Sequence, residues 1–83
     1  MFKIYTPHNV CAKQIDLSLK DGLIEKVAFT GGCPGSLQGI SSLAEGMPAK
    51  MAAEKLKGIT CSNKGTSCPD QLAKAIEEAL ATP

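Results

Sequence analysis

The chain has 83 residues, 43% of them hydrophobic but only 4% aromatic, with no Trp and a formal net charge of +1. That length makes one domain, residues 1–83, near the lower limit at which a hydrophobic core holds a fold unaided, and the core must come from Leu, Ile, Val, Ala and Met. Interspersed charges of both signs mark no nucleic-acid or membrane surface, and no apolar run approaches the length of a membrane span.

Phe2 and Ile4 alternate with Lys3 and Tyr5, which predicts a short strand ending at Thr6-Pro7. A loop over residues 8–11 leads to a second strand, in which Ile15, Leu17 and Leu19 alternate with Gln14, Asp16 and Ser18. Lys20-Asp21-Gly22 signals a turn, and residues 23–29 form the returning strand. Two registers compete. A two-residue Asp-Gly loop pairs Leu17 with Lys26 and sets Val27 and Phe29 opposite the face of Ile15. A three-residue loop, with Gly22 in the left-handed region, pairs Leu19 with Leu23 and Ile15 with Val27. The second keeps the apolar residues, Glu25 excepted, on one face and is the expected one.

After Thr30-Gly31-Gly32 the period lengthens. Leu37, Ile40, Leu43 and Ala44 recur at helical spacing over residues 36–45, and Gly46 is a helix terminator. Pro48 suits a first helical turn, and Met51, Ala52 and Leu56 form the next apolar stripe, closed by Gly58. Residues 59–67 read as a polar loop. Pro69-Asp70-Gln71 opens a last helix with Leu72, Ala73, Ile76, Ala79 and Leu80 turned inward. The expected fold is α+β: a three-stranded antiparallel sheet followed by three helices packed on one face.

The chemistry lies in four cysteines, spaced Cys-x21-Cys-x27-Cys-x6-Cys. No paired C-x2-C of a zinc ribbon occurs, so a metal reading rests on position rather than spacing. Met1–Pro7 lacks the apolar run of a signal peptide, which points to a cytoplasmic protein whose thiols stay reduced. A signal peptide on a longer precursor would instead make a disulfide-stapled secreted domain the expectation. Cys11 falls before the central hairpin, Cys33 between the last strand and the first helix, and Cys61 and Cys68 before the last helix. Such positions can meet at one end of a small α+β domain. Cys33-Pro34 and Cys68-Pro69 put sulphur just before a helix, whose free N–H groups favour thiolate, and Gly31, Gly32 and Gly35 allow close backbone approach. The expected site is therefore Cys11, Cys33, Cys61 and Cys68 around zinc or an iron–sulphur cluster, and four thiolates suit either.

Inert cysteines belong on core faces, whereas these stand beside Gly, Pro or polar loop residues. Redox-active thiols without metal are the competing reading. A phosphate on the Gly-rich turn would need a Lys or Ser/Thr pattern that does not accompany it. His8, three residues before Cys11, is a candidate ligand, though a solvated loop histidine is the simpler reading. Asp70 reads as a first-turn carboxylate that stabilises its helix. Met47 and Met51 read as core fillers, and Lys50, Lys55, Lys57 and Lys64 as solvated surface. No Ser-His-Asp set or carboxylate pair is present, so no catalytic machinery is visible.

The string Thr66-Ser67-Cys68-Pro69-Asp70 matches the motif of the TSCPD domain family, and the whole chain resembles its stand-alone, four-cysteine members. A similar domain lies near the C-terminus of some ribonucleotide reductase large chains. The resemblance implies a metal site and an association with a reductase or another larger enzyme, without the reductase activity itself. The stretch from Cys11 through Leu80 also resembles a shortened iron–sulphur cluster assembly scaffold of the U type. Cys11, then Gly32-Cys33-Pro34-Gly35-Ser36, then Cys68-Pro69-Asp70-Gln71-Leu72 follow the order of that family's three cysteines. Those scaffolds add an aspartate two residues after the first cysteine. Lys13 stands there in this chain, which leaves Cys61 as the substitute fourth ligand. This second resemblance implies, as an alternative function, a carrier of iron–sulphur clusters or sulphur.

Overall fold

The computed structural model describes residues 2–8, 10, 12–32, 34–60 and 65–81, Pro34 by its backbone alone. Strands β1 (Phe2–Tyr5), β2 (Ala12–Lys20) and β3 (Leu23–Gly31) precede helices α1 (Pro34–Ala44), α2 (Ala49–Leu56) and α3 (Cys68–Ala81). The sheet is antiparallel in the order β1-β2-β3. The α+β order is the expected one.

The period-two pattern of β2 is reproduced, with Ile15, Leu17 and Leu19 buried in a core shared with all three helices. In β1, Lys3 pairs with Leu17 and Tyr5 with Ile15. These two therefore share the face of the buried residues, while Phe2 and Ile4 lie on the other face, 64% and 58% exposed. Each inward side chain has an apolar stem and a satisfied tip. Lys3 Nζ meets Glu78 Oε1 at 2.9 Å, and the Tyr5 hydroxyl donates to Gln71 Oε1 at 3.3 Å.

The hairpin departs from the expected register. Asp21 (φ 54°) and Gly22 (φ 79°) are both left-handed, which makes a two-residue type I′ turn whose twist suits the flanking strands. Lys20 pairs with Leu23 and Leu19 with Ile24; a bulge then moves the pairing by one residue, to Ser18 with Lys26, Leu17 with Val27 and Ile15 with Phe29. Neither the three-residue loop nor an unbroken two-residue register describes this hairpin. The reason lies in β3. Ile24 and Val27, three positions apart, cannot share a face of a regular strand, yet they are 1% and 4% exposed. The extra residue reverses the alternation between them, so both turn inward while Glu25 and Lys26 stay exposed.

The segment between α1 and α2 is stitched to the start of β3. Gly46 N–H donates to the Ile24 carbonyl at 2.7 Å, Ile24 N–H to Met47 at 2.9 Å, and Ala49 N–H to Gly22 at 2.8 Å. Glu45 Oε2 accepts from the Val27 amide at 3.3 Å. This half of an edge strand is therefore covered rather than open to pairing with another chain.

Helix α1 buries Leu37, Ser41 and Ala44, α2 buries Ala49, Ala52 and Ala53, and α3 buries Leu72, Ala73, Ala75, Ile76 and Ala79. The expected inward turn of Leu43, Met51 and Leu80 is not found: they are 79%, 46% and 47% exposed. Half of the 16 buried hydrophobic residues described are alanines. Such small faces bring backbones close together and leave the longer side chains at the rim. Among the described residues, no helix is long and apolar enough to cross a membrane.

Candidate functional site

Of the four predicted ligands, Cys68 is described: it is the first residue of α3 and half-buried. Cys11, Cys33 and Cys61 lie outside the described residues, as does Lys64. Among the described residues, no three His, Cys, Asp or Glu side chains gather into a group that could hold a metal ion.

The elements flanking the cysteines are well defined. Ala12 begins β2 and is 3% exposed, and its Cα partner is Gly31 at the end of β3. Gly31 and Gly32 have φ of 82° and 81°, the left-handed region that glycine enters without a Cβ clash. A Cβ on Gly32 would lie 2.7 Å from Leu37 Cδ1 and 3.3 Å from the Ala12 backbone nitrogen. The chain neighbours of Cys33 and Cys11 thus abut, with no room for a side chain between them. Gly35 shows no such constraint, since nothing lies within 4 Å of a Cβ built there.

Around Cys68 the motif residues form a polar knot. Ser67 caps α3, its Oγ accepting the Asp70 N–H at 3.2 Å and donating to the Ile59 carbonyl at 2.6 Å. In a capping box the third residue's carboxylate would bend back to the cap amide. The Asp70 carboxylate instead accepts from the Thr66 hydroxyl and, at 2.8 Å, from the Gly58 N–H beyond the end of α2. Lys74 Nζ stands 3.5 Å away. The Thr66 hydroxyl, then the Gly58 amide and the Lys74 charge, hold the Asp70 carboxyl below its ordinary range, against the opposing effect of burial. Asp70 is therefore a structural acceptor whose oxygens are engaged by residues outside α3, a role beyond the first-turn carboxylate expected from the sequence.

Gln71 extends this knot to the other end of the chain. Its Nε2 donates to Thr66 Oγ1 at 2.9 Å, and its Oε1 accepts from the His8 N–H at 3.0 Å and from the Tyr5 hydroxyl. The His8 side chain is exposed, as expected of a solvated loop histidine. The roles of Thr66, Ser67 and Gln71 escaped the sequence reading. The Ser67-x-x-Asp70 spacing is a capping signal that marks Ser67; nothing local marks Gln71, two of whose three partners lie 63 and 66 residues away.

A groove of about 370 Å³ opens between β3 and α1, beside Gly32 and Leu37. Among the described residues, its polar side chains are Gln38 and Ser41, neither of them titratable, so these offer no acid–base pair.

A family model described as the TSCPD domain matches residues 2–80, a stretch that takes in β1 through most of α3 and all four cysteines. No curated protein and no solved structure matches the chain significantly.

Proposed function

The chain belongs to the TSCPD domain family, and on that premise we propose that it is a small metal-binding module in which Cys11, Cys33, Cys61 and Cys68 hold zinc or an iron–sulphur cluster. The observation that carries this reading is the abutment of Gly32 on Ala12, 3.3 Å from a built Cβ to the Ala12 nitrogen, because Cys11 immediately precedes Ala12 and Cys33 immediately follows Gly32 in the chain. The start of α3 at Cys68 and the pinned ends of the 59–67 loop add to it. The donor set fits: four thiols suit zinc and iron–sulphur clusters alike. Zinc would add folding stability to a small domain, and a cluster would add electron transfer. The partner class we propose is a larger enzyme, a ribonucleotide reductase among them, in keeping with the family. The order of strands, helices and cysteine positions supports reading the fold as a shortened relative of the U-type scaffold. The alternative function in that case is an iron–sulphur or sulphur carrier, and Lys13 in place of an aspartate argues for retention over transfer.

Purification without oxygen tests the proposal. A brown protein containing iron and sulphide supports a cluster, and a colourless one with about one zinc per chain supports a closed tetrathiolate site. Metal-free protein with four titratable thiols overturns both in favour of thiol redox chemistry. Cys61→Ser should weaken binding; unchanged affinity would remove Cys61 from the ligand set.

A further inference from the structure

We infer that Gln71 is the positioning residue of the cysteine site, a single buried amide that fixes the segment leading to Cys11 against the segment leading to Cys68. The inference rests on the metal-binding reading above and names the residue that prepares the site for its ion. Gln71 is 3% exposed, and its amide makes three hydrogen bonds, to three different residues. Two of the donors, the Tyr5 hydroxyl and the His8 N–H, belong to the end of β1 and the turn after it. His8 precedes Cys11 by three residues. The remaining bond runs from Nε2 to Thr66, which precedes Cys68 by two residues and follows Cys61 by five.

The two ends of the amide are chemically distinct, and each is matched. The carbonyl oxygen has two lone pairs and receives two donors. The NH2 group finds a hydroxyl whose own proton is committed to Asp70, so Thr66 is free to accept. Leu at this position would fill the space with no polar atom, leaving the His8 N–H without this acceptor and the buried Thr66 hydroxyl without this donor. Glu would lack the donor for Thr66 and would add a second carboxylate beside Asp70. Only an amide satisfies all three contacts.

The consequence for the site is one of distance. Metal ligands supplied by segments far apart in the chain bind tightly when those segments are held in place beforehand, because less conformational entropy is lost on binding. Groups that orient ligands from outside the coordination sphere typically change metal affinity about 10- to 100-fold when removed. Gln71 does this at the level of the backbone, by tying strand exit to helix start. Ser67 and Asp70 hold the other side of the loop, from Gly58 and Ile59, and among the described residues Gln71 links the N-terminal segment to the end of that loop.

The test compares Gln71→Leu with Ile76→Val, a substitution on the same helix that trims a buried side chain and touches none of these hydrogen bonds. Both variants and the wild type are titrated with cobalt(II) under anaerobic conditions, following the thiolate-to-cobalt absorption band. Gln71→Leu should weaken cobalt binding about 10-fold or more, while Ile76→Val leaves affinity at the wild-type value despite its lower thermal stability. Equal affinities for Gln71→Leu and Ile76→Val overturn the inference. Tyr5→Phe, which removes one bond and keeps the ring, serves if Gln71→Leu does not fold; it should weaken cobalt binding in the same direction, and unchanged affinity counts against the proposal. Hydrogen exchange of metal-free protein separates this inference from the reading beneath it. A wild type with no thiolate-to-cobalt band overturns the metal site. Exchange at residues 6–10 and 65–68 that is equal in wild type and Gln71→Leu overturns the tie itself.

Discussion

Asp70 sits with both carboxylate oxygens engaged, and its chemistry sets how the protein responds to acid. Its pKa is lower in the folded chain than in the unfolded one. The stability it contributes is therefore complete above the unfolded value of about 3.9 and is lost as pH falls through the folded value. Thermal melts between about pH 6 and about pH 2 should decline more steeply for the wild type than for Asp70→Asn, which cannot titrate. Parallel declines would show that Asp70 is not the acid-sensitive group. At neutral pH, Asp70→Ala leaves the Gly58 amide without its acceptor and should cost about 2 kcal/mol in a denaturant melt. The sequence signals this residue only as a helix-start carboxylate, because its decisive partner, Gly58, lies on another element.

At the scale of elements, two local devices decide how β2 and β3 meet. The Glu25 bulge reconciles Ile24 with Val27, and the left-handed Gly31-Gly32 pair brings the exit of β3 onto the start of β2. Gly32→Ala should destabilise the protein by about 2 kcal/mol or more, combining left-handed strain with a clash against Leu37, which a thermal or urea melt reads directly. A loss below about 0.5 kcal/mol would mean that the turn relaxes freely. The strands themselves are legible from period-two alternation, and the helices from apolar spacing with glycine stops. The register is not, because a reading that keeps every alternation intact cannot anticipate an inserted residue. The two-residue turn is one of the two registers the sequence offers, and what it lacks is the bulge that returns Val27 and Phe29 to the face of Leu17 and Ile15. The faces of the helices are also only partly legible: hydrophobicity ranks Leu43 and Met51 above Ala49 and Ala53, and close packing reverses that order.

The molecule as a whole is built on small side chains, and its tolerance of change follows from that. Ala53→Leu adds volume to a buried face and should cost about 1–3 kcal/mol in a urea melt, while Leu43→Glu, at a position 79% exposed, should fall within about 0.5 kcal/mol of wild type. Equal effects would contradict the placement of the α2 face. The hydrogen bonds of Gln71 also bear on the order of events in synthesis and folding. Two of the three join residues 63 and 66 positions apart, so the N-terminal segment emerges from the ribosome long before its partner exists. Contacts of such separation close late and slowly. A nascent chain therefore carries Cys11, and then Cys33 and Cys61, through translation before Cys68 and Gln71 are made. On the metal-binding reading proposed above, all four thiols are present only once residue 68 has been made, so an ion that arrives earlier meets an incomplete ligand set.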